Sequence, residues 1–178
     1  AAISSCRHCH EWELALGLMG EMHAQRIRPS LITYNSAISV CSEGQQWMWA
    51  LCLMEEARAQ ELNLDLITYN AAIGACSEIG MWESVLDLLK DMHQGSLHPD
   101  LVTFAFAISA YCRDAQWEMA LDCLEDMRAD AIRPSAEIYD AAVGACELGG
   151  ATFPVGPLLA DVQEWLCTAW QRGSRTAA

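Results

Sequence analysis

Cys6-Arg7-His8-Cys9-His10 is the stretch of this chain whose residue types look most like a ligand set. C-x-x-C-H is the spacing that attaches a c-type haem, and it is also half of a tetrahedral zinc site. Zinc would need a second Cys/His cluster at a fitting distance, and the sequence supplies none. Cys6 also opens a column of Cys6, Cys41, Cys76 and Cys146, with Tyr111 in the missing slot. A thiol that recurs in a fixed register is read as a small apolar core residue, as are Cys112 and Cys123, so no metal and no cofactor is expected. The seven Trp could form an aromatic cradle for a nucleotide. Trp12, Trp47, Trp82 and Trp117 share one column, however, which points to packing between units. No phosphate loop, nucleophile–base set or paired-carboxylate motif occurs, so the chain is not expected to be an enzyme.

The columns come from a repeat. Ile32-Thr33-Tyr34-Asn35 returns as Ile67-Thr68-Tyr69-Asn70 and as Val102-Thr103-Phe104-Ala105, with a worn copy at Glu137-Ile138-Tyr139-Asp140. Each copy starts 35 positions after the last. Leu16, Leu51, Leu86 and Leu121 keep the same step, as do Pro29, Pro99 and Pro134 with Leu64 substituting. A fixed period of this size means stacked supersecondary units rather than one globular core.

Within residues 31–65, Tyr34, Ala37, Ile38 and Cys41 have the i, i+3, i+4, i+7 spacing of an amphipathic helix, with Thr33 as its N-cap. Gly44 sits near its C-cap, and a second helix carries Trp47, Ala50, Leu51, Met54 and Ala57. Neither short helix can bury its stripe alone, so each leans on its neighbours. Helix pairs are expected at 68–78 with 81–93 and at 103–113 with 116–129. The fold class is therefore all-α, a solenoid of helix–turn–helix repeats. The organisation is a partial repeat at 1–30, repeats at 31–65, 66–100 and 101–135, a degenerate repeat with a capping helix at 136–170, and a tail at 171–178. Residue 1 aligns with the sixth position of a unit, so the chain is expected to begin inside a repeat.

Composition sets further bounds. Hydrophobic residues are 53% and charged residues 19%, which argues against disorder. The apolar runs are shorter than the ~18 residues of a membrane span, so no membrane partner is expected. Nine Cys, an odd number, read as reduced thiols in a reducing compartment. The net charge of −14 is unusual for a nucleic-acid binder, whose affinity comes largely from cations on phosphates.

A 35-residue helical pair opening on Ile67-Thr68-Tyr69-Asn70, with Gly80, Leu86, Met92 and Leu97 inside and Pro99-Asp100 at its close, resembles the pentatricopeptide repeat (PPR) of 35-residue type. The resemblance covers residues 1–148, and the Trp near the start of each second helix departs from the common plant pattern. It implies a right-handed α-α superhelix that binds single-stranded RNA, one base per repeat, in mitochondria or chloroplasts. In this family the fifth and last residues of a unit hydrogen-bond the base edge, and the second packs against its face.

That places Asn35 with Asp65 and wedge Ile32 in the first full repeat, Asn70 with Asp100 and Ile67 in the second, and Ala105 with Ser135 and Val102 in the third. Asn with Asp favours uridine by analogy, and Asn35→Thr with Asn70→Thr is expected to shift the preference toward guanine. Ala105 has no side-chain donor or acceptor, so the third repeat is expected to discriminate poorly. Asp140 would pair with Trp170, which is no reading pair. Asn35 lies about 100° from Tyr34 on the helix wheel and so points away from the core stripe. Asn35, Asp65, Asn70 and Asp100 are therefore expected along one concave surface.

Two features pull the other way. Asp65 and Asp100 precede helix starts and could be simple caps. The column where the family commonly places a Lys toward phosphate reads His8, Glu43, Glu78 and Arg113. RNA binding by this stretch alone is therefore expected to be weak. A protein-interaction scaffold, and a spacer for a nuclease domain outside this chain, stand as alternatives.

Overall fold

The computed structural model describes residues 12–150, and every regular element among them is helical. The helices are α1 (Trp12–Ala24), α2 (Leu31–Glu43), α3 (Trp47–Ala59), α4 (Leu66–Ser77), α5 (Trp82–Gln94), α6 (Leu101–Arg113), α7 (Trp117–Ala129) and α8 (Ala136–Leu148). Starts of equivalent helices lie 35 residues apart, as the repeat requires. The capping helix expected at 158–170, the tail and Trp170 lie outside the described residues, as do Cys6, Cys9 and His10.

Each first helix begins two residues earlier than Thr33 and its equivalents would place it. Ser30 is the N-cap of α2, its hydroxyl accepting from the Thr33 N–H, while the Thr33 hydroxyl reaches back to the cap backbone. Thr33 is thus the third residue of a capping box rather than the cap. Asp65 caps α4 and Ser135 caps α8, their side chains accepting the Thr68 and Ile138 N–H groups. Such a cap contributes on the order of 1 kcal/mol.

The helix ends follow a second rule. Gly44 has φ −83°, and the left-handed residue is Gln45, at φ 57°. Arg26, Glu61, Gly80, Ser96, Ala115, Ala131 and Gly150 also have positive φ, so each helix described ends on a left-handed residue and only two of these are glycine. Gly44 serves another need: a Cβ there would lie 2.8 Å from Cδ1 of Trp12. Trp12 and Trp117 of the Trp column pack against the ends of first helices, at Gly44 and Gly149, and all four Trp are half-buried.

The chain divides into two compact units, Ala1–Ala110 and Tyr111–Ala178. In the first, α2 packs on α1, α3 and α4, and α4 also packs on α3 and α5. Its core is the predicted stripe: Tyr34, Ala37, Ile38 and Cys41 are all fully buried, with Ala72, Ile73 and Cys76 in α4. Alanine at the Ala37 and Ala72 position lets neighbouring helices approach closely. In the second helices Ala50, Met54 and Ala57 are buried as the period predicts, but Leu53 is buried where Leu51 is only half-covered. In the second unit α7 packs on α8 through a core that includes Leu124, Met127, Tyr139 and Ala142.

Candidate nucleic-acid interface

The capping residue of α4 also holds a side chain of the preceding repeat. Asp65 Oδ1 accepts the Thr68 backbone N–H at 2.9 Å, which closes the helix end. The same carboxylate accepts the Asn35 amide, Nδ2 lying 3.0 Å from Oδ1 and 3.3 Å from Oδ2. Asn35 Oδ1 in turn accepts the Thr68 hydroxyl at 2.5 Å. Asn35, Asp65 and Thr68 thus form a closed triad across 33 residues of sequence.

The second copy repeats the first. Asn70 Nδ2 donates to Asp100 Oδ1 at 3.2 Å, and Asn70 Oδ1 accepts the Thr103 hydroxyl at 2.5 Å. The Thr103 N–H caps onto Asp100 Oδ1 at 2.9 Å. Asp65 and Asp100 are therefore caps and partners of the asparagines at once.

The electrostatics follow from these bonds. Burial pushes the Asp65 carboxyl up, but the Thr68 N–H, the Thr68 hydroxyl and the Asn35 amide outweigh it and hold its pKa below the usual value. Asp100 is lowered for the same reasons by Thr103 and Asn70. Both carboxylates are ionised at neutral pH.

Ile32, Ile67 and Val102 stand in the first turns of α2, α4 and α6, and they are 76%, 63% and 47% exposed. No core claims these apolar side chains, which leaves them free to cover an apolar face of a ligand. Ile67 and Asn70 line an open cleft of about 320 Å³ together with Ser39, Ser42, Glu43 and Phe106. Gly74 forms part of its floor: a Cβ there would lie 3.4 Å from the Phe106 ring and 3.5 Å from Ser42 Oγ. The cleft can take a flat, partly polar group, with aromatic and aliphatic surface on its walls and amide and hydroxyl groups between.

The sequence reading missed three of these residues. Thr68 and Thr103 were visible as the second letter of the repeating I-T-Y-N motif, and they drew only the helix-start role given to Thr33. Phe106 follows no column, since Ser36 and Ala71 are its equivalents. The third set stands apart: Ala105, Ser135 and Ile138 occupy the three triad positions, and Ser135 keeps only the cap, to the Ile138 N–H. Glu43 and Glu78 are exposed where a cation column would aid phosphate binding.

Cys41 and Cys76 are buried free thiols whose pKa burial pushes up to about 11, so they pack rather than react. Cys146 is also buried and free. Among the described residues no group of His, Cys, Asp or Glu is placed to hold a metal ion, and no helix is long and apolar enough to cross a membrane.

Solved structures share this architecture. The pentatricopeptide repeat protein PPR10, known from maize and solved in complex with an 18-nt psaJ RNA element, superposes with a TM-score of 0.69 at 25% identity. That match covers 80% of this chain and 21% of PPR10, so the chain spans about a fifth of its relative's length. The PPR domain of Arabidopsis thaliana protein-only RNase P 1, solved in complex with tRNA, matches at TM-score 0.82 and 16% identity, over 93% of this chain and 87% of that one. The nuclear proteinaceous RNase P 2 of the same plant matches at TM-score 0.82 and 15% identity, over 90% of this chain and 36% of that one. No curated protein matches the chain. The family model described as the pentacotripeptide-repeat region of PRORP matches residues 1–153, and the chain belongs to this pentatricopeptide-repeat family.

Proposed function

We propose that this chain is a single-stranded RNA-binding module that reads one base per repeat and favours uridine at two adjacent repeats. The observation that carries the reading is the duplicated triad, Asn35–Asp65–Thr68 and Asn70–Asp100–Thr103, set beside exposed Ile32, Ile67 and Val102. Each triad leaves one amide N–H and carboxylate lone pairs uncommitted. Those groups complement a uracil edge, whose O4 accepts and whose N3–H donates. The aliphatic side chains of successive repeats flank the base and cover its faces. The 25% identity to PPR10, which is itself solved with bound RNA, supports the same reading.

The third repeat, which carries Ala105 in place of the asparagine and Ser135 in place of the aspartate, discriminates poorly in this account. The chain is a binding module rather than an enzyme. It serves an RNA-processing or RNA-stability factor of a mitochondrion or chloroplast, within which a catalytic domain such as a nuclease would lie outside this chain. A second reading, a scaffold that takes a basic peptide, is favoured by Glu43 at the cleft and by the net charge of −14.

Filter binding to U-rich and A-rich oligonucleotides across a salt series separates the two. Base-edge contacts are worth roughly 1–3 kcal/mol each, so a U preference of about fivefold or more per repeat is expected. Asn35→Ala with Asn70→Ala should abolish it. Equal affinity for both oligonucleotides, unchanged in the double variant, would favour the peptide scaffold.

A further inference from the structure

The asparagine of a reading pair is useful only if its amide has one orientation. An amide has a donor end and an acceptor end of nearly the same shape, and the torsion that exchanges them is broad. Asp65 holds one end of Asn35 through Nδ2. One tie still lets the amide swing. The Thr68 hydroxyl supplies the second tie, on Oδ1. Thr68 is fully buried, and so is Thr103 in the next copy. Each hydroxyl has a single proton. Thr68 Oγ1 lies 2.5 Å from Asn35 Oδ1 and 2.8 Å from Asp65 Oδ1, so that proton is shared between the two acceptors, with the amide oxygen the nearer.

A second observation comes from the repeat itself. Asparagine, aspartate and threonine occur together in two copies, and all three are replaced in the third, by Ala105, Ser135 and Ile138. A threonine needed only for the helix start would have no reason to leave with the asparagine, since Ser135 still caps the Ile138 N–H.

We infer that Thr68 and Thr103 are positioning residues for base selection, each fixing the asparagine amide of the preceding repeat so that keto bases are accepted over amino bases. The inference rests on the RNA-binding reading above. With Oδ1 committed to threonine and one N–H committed to aspartate, the amide offers its remaining N–H next to the carboxylate. Uracil presents an exocyclic oxygen beside a ring N–H and fits that order. Cytosine presents an exocyclic amine beside a bare ring nitrogen, the reverse order. Only a fixed amide keeps the two apart.

The test uses Thr68→Val with Thr103→Val, which keeps side-chain shape and the backbone N–H that caps onto aspartate. Thr68→Ser with Thr103→Ser restores the hydroxyl. The first readout needs no RNA: the side-chain amide resonances of Asn35 and Asn70. They should move toward those of solvated asparagine in the valine variant and return in the serine variant. The second readout is the ratio of U-rich to C-rich oligonucleotide affinity. It should fall about fivefold or more in the valine variant and recover with serine.

Unchanged amide resonances in the valine variant overturn the positioning role. Altered resonances with an unchanged U-to-C ratio do the same, while leaving the RNA-binding reading intact. Equal binding of U-rich and C-rich oligonucleotides by the unmodified chain removes the base-selection role, and binding of neither removes the RNA-binding reading with it.

Discussion

Asp65 and Asp100 each carry two duties with one carboxylate, and this makes them sensitive to acid. Their pKa values in the folded chain lie below the ordinary 3.8, despite burial that acts in the other direction. A carboxylate held lower in the folded state stabilises the fold above its unfolded pKa, and this contribution is lost as pH falls through the folded value. The urea midpoint should therefore hold steady from about pH 7 to 5 and drop below about pH 4. Asp65→Asn with Asp100→Asn keeps a cap acceptor but removes the charge. That variant should show a shallower acid loss. An identical acid profile in the two proteins would mean that the triads do not bind their carboxylates as described. The residue types of these pairs were legible in the sequence, because the 35-residue register sets Asn35 against Asp65 once the family is recognised. The threonine was not legible, because a hydroxyl at a helix start has a local explanation. Only the distance across repeats reveals the second one.

Helix ends explain most of the difference between the predicted and observed elements. The apolar period located every first helix but misplaced its start. The cap is set by the side chain that reaches the third N–H, and hydrophobic spacing carries no trace of it. Glycine marked these helix ends for a different reason. Gly44 and Gly149 stand at C-caps with ordinary negative φ, and the left-handed turn falls on the next residue. Their lack of a side chain answers to tryptophan. A Cβ on Gly149 would come 2.3 Å from Cδ1 of Trp117 and 2.9 Å from the Ala115 carbonyl oxygen. Gly149→Ala should cost roughly 1–3 kcal/mol, the usual range for overpacking. Ala131 is the reverse case, a non-glycine residue at φ 56°. Left-handed strain of ~1–2 kcal/mol exceeds the ~0.4–1 kcal/mol of extra unfolded-state entropy that glycine brings. Ala131→Gly should therefore raise stability by about 0.5–1 kcal/mol. Urea unfolding of both variants checks the pair, and a neutral Gly149→Ala would remove the role assigned to the Trp column.

At the scale of the molecule, repetition settles the fold and charge shapes the function. The fold class was readable from the sequence because four columns share one step, which no single motif could establish. Affinity was less readable. Glu43 and Glu78 stand where phosphate-binding cations would help, so under the proposed function the affinity would come from base contacts, which contribute roughly 1–3 kcal/mol each. On the proposed reading, two complete triads are expected to give weak RNA binding with a shallow salt dependence, since few counterions would be displaced. The central claim is that bases seat against the asparagine–aspartate pairs between exposed aliphatic side chains. Titrating the isotope-labelled chain with oligouridine at low salt tests it most directly. The account predicts that shifts concentrate on the Ile32, Ile67 and Val102 methyls and on the Asn35 and Asn70 side-chain amides, with oligoadenosine producing much smaller changes. Shifts confined to the second helices α3 and α5, or the same response to both oligonucleotides, would contradict it.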